Sequence, residues 1–239
     1  MPQTIKHLLH TMARGKSQLR PWAGLSAGVL GRSLAEQGVS PPGSLALALI
    51  DATRSSSRPL NTGAYAVGLG LLGDARSEAP LLQKLHSVRE DISRGYVAVG
   101  LGLAGHRSSI EAIQGMLEKA KYKPILLWQS AIGLGLLGDK TVVPDLVSML
   151  MTARGMASQS STASALGIIG DARSVQPLVD MLAAKKAVGS SARAFAAVAL
   201  GIVCDPKPLA WNTSYSLGAN YRFAPRTMTG NGQGILDIL

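Results

Sequence analysis

Apolar residues return along this chain at helical offsets, and they do so in blocks. Five segments align on one anchor: AYAVGLGLLGD ending at Asp74, YVAVGLGLAGH at His106, SAIGLGLLGD at Asp139, STASALGIIGD at Asp171 and AFAAVALGIVCD at Asp205. The residues just before these ends, Gly73, Gly105, Gly138, Gly170 and Cys204, stand 32, 33, 32 and 34 apart. A step of that size is one two-helix unit of a solenoid. Seven residues before each anchor stand Ala66, Ala98, Ala131, Ala163 and Ala197. Four before stand Leu69, Leu101, Leu134, Leu166 and Leu200, and three before stand Gly70, Gly102, Gly135, Gly167 and Gly201. Offsets of 0, 3, 4 and 7 share one helix face, so each block predicts a first helix with a small-large-small stripe.

The anchor glycine is placed to end that helix in a left-handed cap, and the Asp after it to cap a second helix. The second helix is predicted from apolar residues eight and twelve after the anchor: Leu81 with Leu85, Ile113 with Leu117, Leu146 with Leu150, Leu178 with Leu182. Pro80, Pro144 and Pro177 restrict where it begins. A degenerate unit precedes these. WAGLSAGVLG, Trp22 to Gly31, puts Gly28 and Gly31 on the glycine positions, with Leu45 to Ala52 as its second helix. Ile5 to Ala13 supplies an orphan second helix before it. After Asp205 the pattern stops: Pro206 and Pro208 break helix, and Trp211, Tyr215, Tyr221 and Phe223 cluster. The fold expected is an all-α superhelix of about five to six hairpins over 1–205, with 1–53 as degenerate cap and repeat, and 206–239 as an irregular C-terminal cap.

Glycine inside a helix costs about 1 kcal/mol relative to alanine, so its recurrence needs an offsetting contact. Close backbone approach between neighbouring first helices, which any Cβ would block, is that contact. It also disposes of three literal G-x-G-x-x-G strings, at Gly68, Gly100 and Gly133. A dinucleotide-binding turn follows a strand and opens a helix, whereas these glycines sit within a helix and end it.

Ala-x-x-Leu-Gly-x-x-Gly-Asp at a step near 32 resembles the HEAT-like repeats of phycobilisome lyases, over roughly residues 20–205. The tail, with Pro208-Leu209-Ala210-Trp211-Asn212 and the ending Gly234-Ile235-Leu236-Asp237-Ile238-Leu239, is similar to the ends of HEAT-repeat proteins of planctomycete bacteria. The resemblance implies a helical solenoid and leaves activity open, because solenoids host many functions. HEAT-like di-iron deoxyhypusine hydroxylases need paired His-Glu dipeptides, and this chain has no His-Glu. For HEAT-like DNA glycosylases, an aromatic and acidic cleft is lacking in the sequence pattern. Chromophore-lyase activity is what the resemblance would imply for an enzyme, yet nothing singles out a tetrapyrrole pocket.

Composition narrows the picture further. Hydrophobic residues make up 46% of the 239 and aromatics 4%, which suits tightly stacked helices. The four histidines, His7, His10, His86 and His106, have no metal-ligand spacing, and no G-x-S-x-G occurs. No catalytic residue, metal or cofactor is therefore assigned. The single cysteine, Cys204, reads as a small core residue. Without a signal sequence or an apolar run of eighteen, a cytoplasmic location away from the membrane is expected. Basic residues near the N-terminus leave a transit peptide open.

Net charge is +10. Many cations fall in the loops joining repeats: Arg54 and Arg58, Arg89 and Arg94, Lys119, Lys121 and Lys123, Arg154, then Lys185, Lys186 and Arg193. A second set, Arg76, Arg107, Lys140 and Arg173, follows the anchor turns. Equivalent loops of a solenoid align along an edge, so the first set is a candidate interaction stripe, or simply solvated charge. Met116, Met149 and Met181 recur one residue before the second helix's later leucine. They are either core or an adaptable ridge on the inner face, which the second helices are expected to line. The reading is a non-catalytic scaffold with a protein partner. Nucleic-acid or other polyanion binding is the alternative, and a lyase-like accessory enzyme the third.

Overall fold

The computed structural model describes residues 2–120, 122–153, 155–184 and 189–204. Among them the chain is all-helical, with no strand, and Gly68, Gly100 and Gly133 lie inside helices. In order these are α1 (Pro2–Arg14), α2 (Leu19–Glu36), α3 (Gly43–Ser55), α4 (Pro59–Leu72), α5 (Glu78–Ser87) and α6 (Asp91–Ala104). Then come α7 (Ile110–Glu118), α8 (Pro124–Leu136), α9 (Val143–Thr152), α10 (Met156–Ile169), α11 (Val175–Ala183) and α12 (Ser190–Cys204). The chain divides into two compact units, Met1–Glu111 and Ala112–Leu239, the division falling within α7.

In the first unit α2, α4 and α6 pack side by side as one layer, and α1, α3 and α5 form a second layer against them. The orphan α1 packs on α2 and α3, as a second-layer helix should. Each second-layer helix also packs on the first helix of the next repeat: α1 on α2, α3 on α4, α5 on α6. The second unit repeats this with α8, α10 and α12 in one layer and α9 and α11 packed on α10 and α12. These are the helical hairpins of a repeat fold.

The sequence stripe explains the layers. Ala66, Ala98, Ala131 and Ala163 are fully buried, as are Leu69, Leu101, Leu134 and Leu166. In α4 every residue from Thr62 to Leu72 is buried, the signature of a helix covered all round. The second-layer helices are one-sided: α5 buries Leu81 and Leu85 and exposes Gln83 and His86.

Glycine serves contact, and the first unit shows it most directly. A Cβ on Gly28 would lie 2.2 Å from the carbonyl oxygen of Gly68, and one on Gly68 2.5 Å from that of Gly24. On Gly70 it would lie 2.3 Å from the oxygen of Gly100, and on Gly100 2.4 Å from that of Ala66. Gly24, Gly28 and Gly31 face Tyr65, Gly68 and Leu72 in turn, and Gly63 and Gly70 face Tyr96 and Gly100, so α2, α4 and α6 run parallel and interlock.

Gly73, Gly105, Gly138 and Gly170 have φ of 68°, 75°, 71° and 66°, the left-handed cap that their position predicts. The turn after them differs from expectation. Asp74 and Asp171 cap short 3-10 turns, Ala75–Ser77 and Ala172–Ser174, that precede α5 and α11. Their carboxylates accept from the amides of Arg76 and Arg173 at 2.9 Å. Further corrections concern the ends. Gly31 does not end α2, which runs on to Glu36 and turns at Gly38 with φ 75°. Gly31 is instead wedged against the Leu72 side chain. Cys204, expected in the core, is exposed at the end of α12, at a column whose other members, Gly73, Gly105 and Gly138, also face solvent. On α12 the buried face is Ala192, Ala196 and Ala199, whereas Ala197 and Gly201 are exposed. The tail predicted as a cap, 206–239, lies outside the described residues.

Candidate functional site

The basic loop residues fall in both units. In the first, Arg54 lies in the last turn of α3, Arg58 immediately precedes α4 and Arg89 lies before α6; all three are exposed. Arg94 is within α6 and partly buried, and its Nε is enclosed without a hydrogen bond. In the second unit Lys119 and Lys123 are exposed on either side of the α7–α8 loop. Lys121, Arg154, Lys185 and Lys186 lie outside the described residues. Arg193 is used structurally, its Nε donating to the Leu182 carbonyl at 2.8 Å.

Two of the second basic set, Arg76 and Arg173, are committed to the fold. The Arg76 guanidinium folds back on Asp74 at 2.9 and 2.7 Å, and Arg173 does the same to Asp171 at 2.8 and 3.1 Å. Arg173 also donates to the Lys140 carbonyl at 2.9 Å, joining consecutive turns. Arg173 holds the Asp171 carboxyl down at about 2, and Arg76 lowers that of Asp74. The other turns are joined by different chemistry at the same places. The His106 ring lies 2.6 Å from Ser77 Oγ, Ser108 donates to Glu78, and Gln114 donates to Asp139 at 2.8 Å. The Asp-Ala-Arg-Ser string, present at 74–77 and 171–174, is the sequence signal for this closed turn.

Beside the loop cations stand exposed aliphatic residues. Leu60, Ile92 and Ile125 occupy one column, thirteen before their anchors, and are 48%, 37% and 51% exposed. Leu60 follows Arg58, Ile92 follows Arg89 and Ile125 follows Lys123, each within three residues. Sequence reasoning identified the cations and missed this apolar column, although its spacing equals that of the anchors. Of the methionines, Met116 and Met181 are buried in the core and Met149 is partly exposed.

The first unit also holds a cavity of about 500 Å3 between α1, α3 and the starts of α2 and α4. Its lining includes Arg20, Asp51, Arg58 and Tyr65 together with apolar Leu9 and Met12. Burial raises the Tyr65 phenol above its ordinary value, while the charge of Arg20 acts in the opposite direction. Among the described residues no group of three His, Cys, Asp or Glu side chains is placed to hold a metal ion. No helix among them is long and apolar enough to cross a membrane.

Residues 159–184 match the family model of the PBS lyase HEAT-like repeat. This supports a HEAT-like repeat protein. The HEAT-like match runs from inside α10 through the Gly170 cap and the Asp171 turn to the end of α11, one helix-turn-helix passage. No curated protein matches the chain.

Proposed function

We propose that this HEAT-like chain is a scaffold or adaptor without catalytic activity, which binds another protein through its repeat surface. The supporting observation is the recurrence of an exposed aliphatic side chain beside an exposed cation where the first helices begin. Leu60 with Arg58 and Ile92 with Arg89 do this in the first unit, Ile125 with Lys123 in the second. Exposed apolar groups that recur with the repeat mark a surface that gains by being covered. Cations around them select a partner with acidic groups and speed its encounter. A nucleic-acid backbone would engage the cations and leave the aliphatic column bare. Single-strand binding calls for stacking aromatics. Of the large apolar residues exposed among the described ones, only Tyr122 is aromatic.

The test compares the native chain with a variant carrying Leu60→Ser, Ile92→Ser and Ile125→Ser in cross-linking and affinity capture from the source cells. One protein recovered in fixed proportion with the native chain and lost with the variant is the expected result. Salt-sensitive retention of DNA or RNA that the three replacements leave unchanged would move the function to polyanion binding. A pigment co-purifying with the chain would move it to a lyase-like accessory role.

A further inference from the structure

One buried residue of the first unit departs from the repeat. Eleven residues after the anchors Gly105, Gly138 and Gly170 stand Met116, Met149 and Met181, and eleven after Gly73 stands Lys84. Met116 and Met181 are in the core, and Lys84 is buried in the same column at 9% exposed. A lysine there gives up hydration that methionine never had, so its presence needs a compensating use. Part of that use is structural: Nζ donates to the carbonyls of Arg54 at 3.2 Å and Ser56 at 2.5 Å. Those two acceptors match the two hydrogens of a neutral amine. An ammonium would bring a third hydrogen, for which the described residues supply no acceptor. Burial favours the neutral form and lowers the pKa. The neutral amine keeps a lone pair, and a desolvated lysine of this kind is a nucleophile for carbonyl carbon.

The second observation is a cavity of about 160 Å3 at this residue, lined by Lys84 with Arg54, Pro80, Gln83 and Ser87. It lies between the end of α3 and α5, inside the first unit. Arg54, Gln83 and Ser87 are exposed, so solvent reaches it. Besides Lys84 the lining carries one charged residue, Arg54, and no acid. At the roughly 30 Å3 that a water molecule occupies in the liquid, the space suits a molecule of a few heavy atoms. A small electrophile with one negative charge matches both the amine and the guanidinium.

We propose that Lys84 captures a small 2-oxo acid as an imine, with Arg54 holding the acid's carboxylate. The amine lone pair attacks the 2-carbonyl carbon and forms the C–N bond. The carbonyl oxygen leaves as water, with one hydrogen from the amine and one proton from solvent. The nitrogen keeps its other hydrogen, which gives a cationic imine without oxidation or reduction. Its N–H donates to one of the two carbonyls that now accept from Lys84, and both oxygens face the positive charge. An anionic product such as a carbamate would set like charge against those oxygens. The inference goes beyond the scaffold reading, whose test through Leu60, Ile92 and Ile125 leaves Lys84 and Arg54 in place.

Pyruvate and cyanoborohydride added to the full chain at neutral pH test it, the reduced adduct being located by peptide mass spectrometry. Exposed lysines are ammonium under those conditions. Lys84 should carry more adduct than any of Lys6, Lys16, Lys119, Lys123 and Lys140, all of which are exposed. Arg54→Gln, at an exposed position, should lower the adduct at Lys84 by more than about tenfold, as loss of a charged partner does. Pyruvamide, which lacks the carboxylate, should modify Lys84 weakly, and to the same extent in the native chain and in Arg54→Gln. A lysine that only ties α5 to the preceding loop would be modified more slowly than the exposed ones. The inference is overturned if Lys84 is modified no faster than they are, if pyruvamide matches pyruvate, or if Arg54→Gln keeps native capture.

Discussion

Within each unit the first-layer helices approach their neighbours, and the contacts differ between the units. In α2, α4 and α6, a Cβ at Gly28, Gly68, Gly70 or Gly100 would stand 2.2–2.5 Å from a carbonyl oxygen of the facing helix. In the second unit, a Cβ at Gly135 would first meet Ile168 Cγ2 at 2.9 Å, and one at Gly167 the Cα of Ala199 at 2.7 Å. The anchors and stripe are the same in both. What differs is the column five before the anchor on the facing helix, which reads Gly68 and Gly100 in α4 and α6, and Ala165 and Ala199 in α10 and α12, with Gly133 of α8 keeping the glycine. Glycine on both sides lets each backbone enter the other's groove. With alanine in that column the nearest atoms to the glycine opposite are a side-chain carbon or a Cα, and the carbonyl oxygens stand farther off, at 3.1 and 3.2 Å. The repeat therefore tolerates substitution unevenly, and its first unit is the stricter.

This contrast can be broken by graded replacement. Gly28→Ala or Gly68→Ala should destabilise by about 3 kcal/mol, since a carbonyl oxygen in a packed helix cannot move aside as a side chain can. Thermal unfolding of each variant measures it. Gly167→Ala should lose about 1–2 kcal/mol by the same measurement, because α12 has to shift by a fraction of an ångström against Ala199. If the two losses are equal, the units do not differ as described. Gly138→Ala probes conformation alone, with nothing within 4 Å of its Cβ position but a φ of 71°. It should cost about 1 kcal/mol, and Gly138→Asn less, in urea unfolding.

The smallest effect concerns the closed turns. Arg173 depresses the folded pKa of Asp171 to about 2, so the native state binds its proton later than the unfolded chain. The turn's contribution is complete above the ordinary carboxylate value of about 4 and fades as pH falls towards the folded value. Urea midpoints of the native chain and of Asp171→Asn should therefore differ at pH 6 and converge near pH 2. A difference that persists in acid would show that the Asp171 charge is not what closes the turn.

Much of this was readable before any coordinates. The anchors, the buried alanine and leucine columns and the left-handed caps follow from a step that repeats, because each column must meet the same neighbours in every unit. What escaped depends on contacts that sequence spacing does not carry. Arg76 and Arg173 read as surface charge until their fold-back on Asp74 and Asp171 is seen. Lys84 reads as another surface cation, yet it is buried and donates to the carbonyls of Arg54 and Ser56, tying α5 to the preceding loop. Burial correspondingly lowers its pKa. The apolar neighbours of Cys204 suggest a core position, but the anchor column in which it stands is exposed at Gly73, Gly105 and Gly138. The cavity at Tyr65 was invisible because it is assembled from α1, α3 and two helix starts, and α1 belongs to no complete repeat. The aliphatic column at Leu60, Ile92 and Ile125 is legible in the spacing, but its exposure is not, because three apolar residues at repeat spacing read equally well as core.

Gly70→Ala gives the account its sharpest test, because two physical terms predict opposite signs there. Helix propensity alone favours alanine over glycine by about 1 kcal/mol. Packing opposes it, with the new methyl 2.3 Å from the Gly100 oxygen. Equilibrium urea unfolding of this variant should show a lower midpoint than the native chain, by about 2 kcal/mol or more. A midpoint equal to or above the native one would contradict the claim that these glycines exist to let neighbouring helices touch.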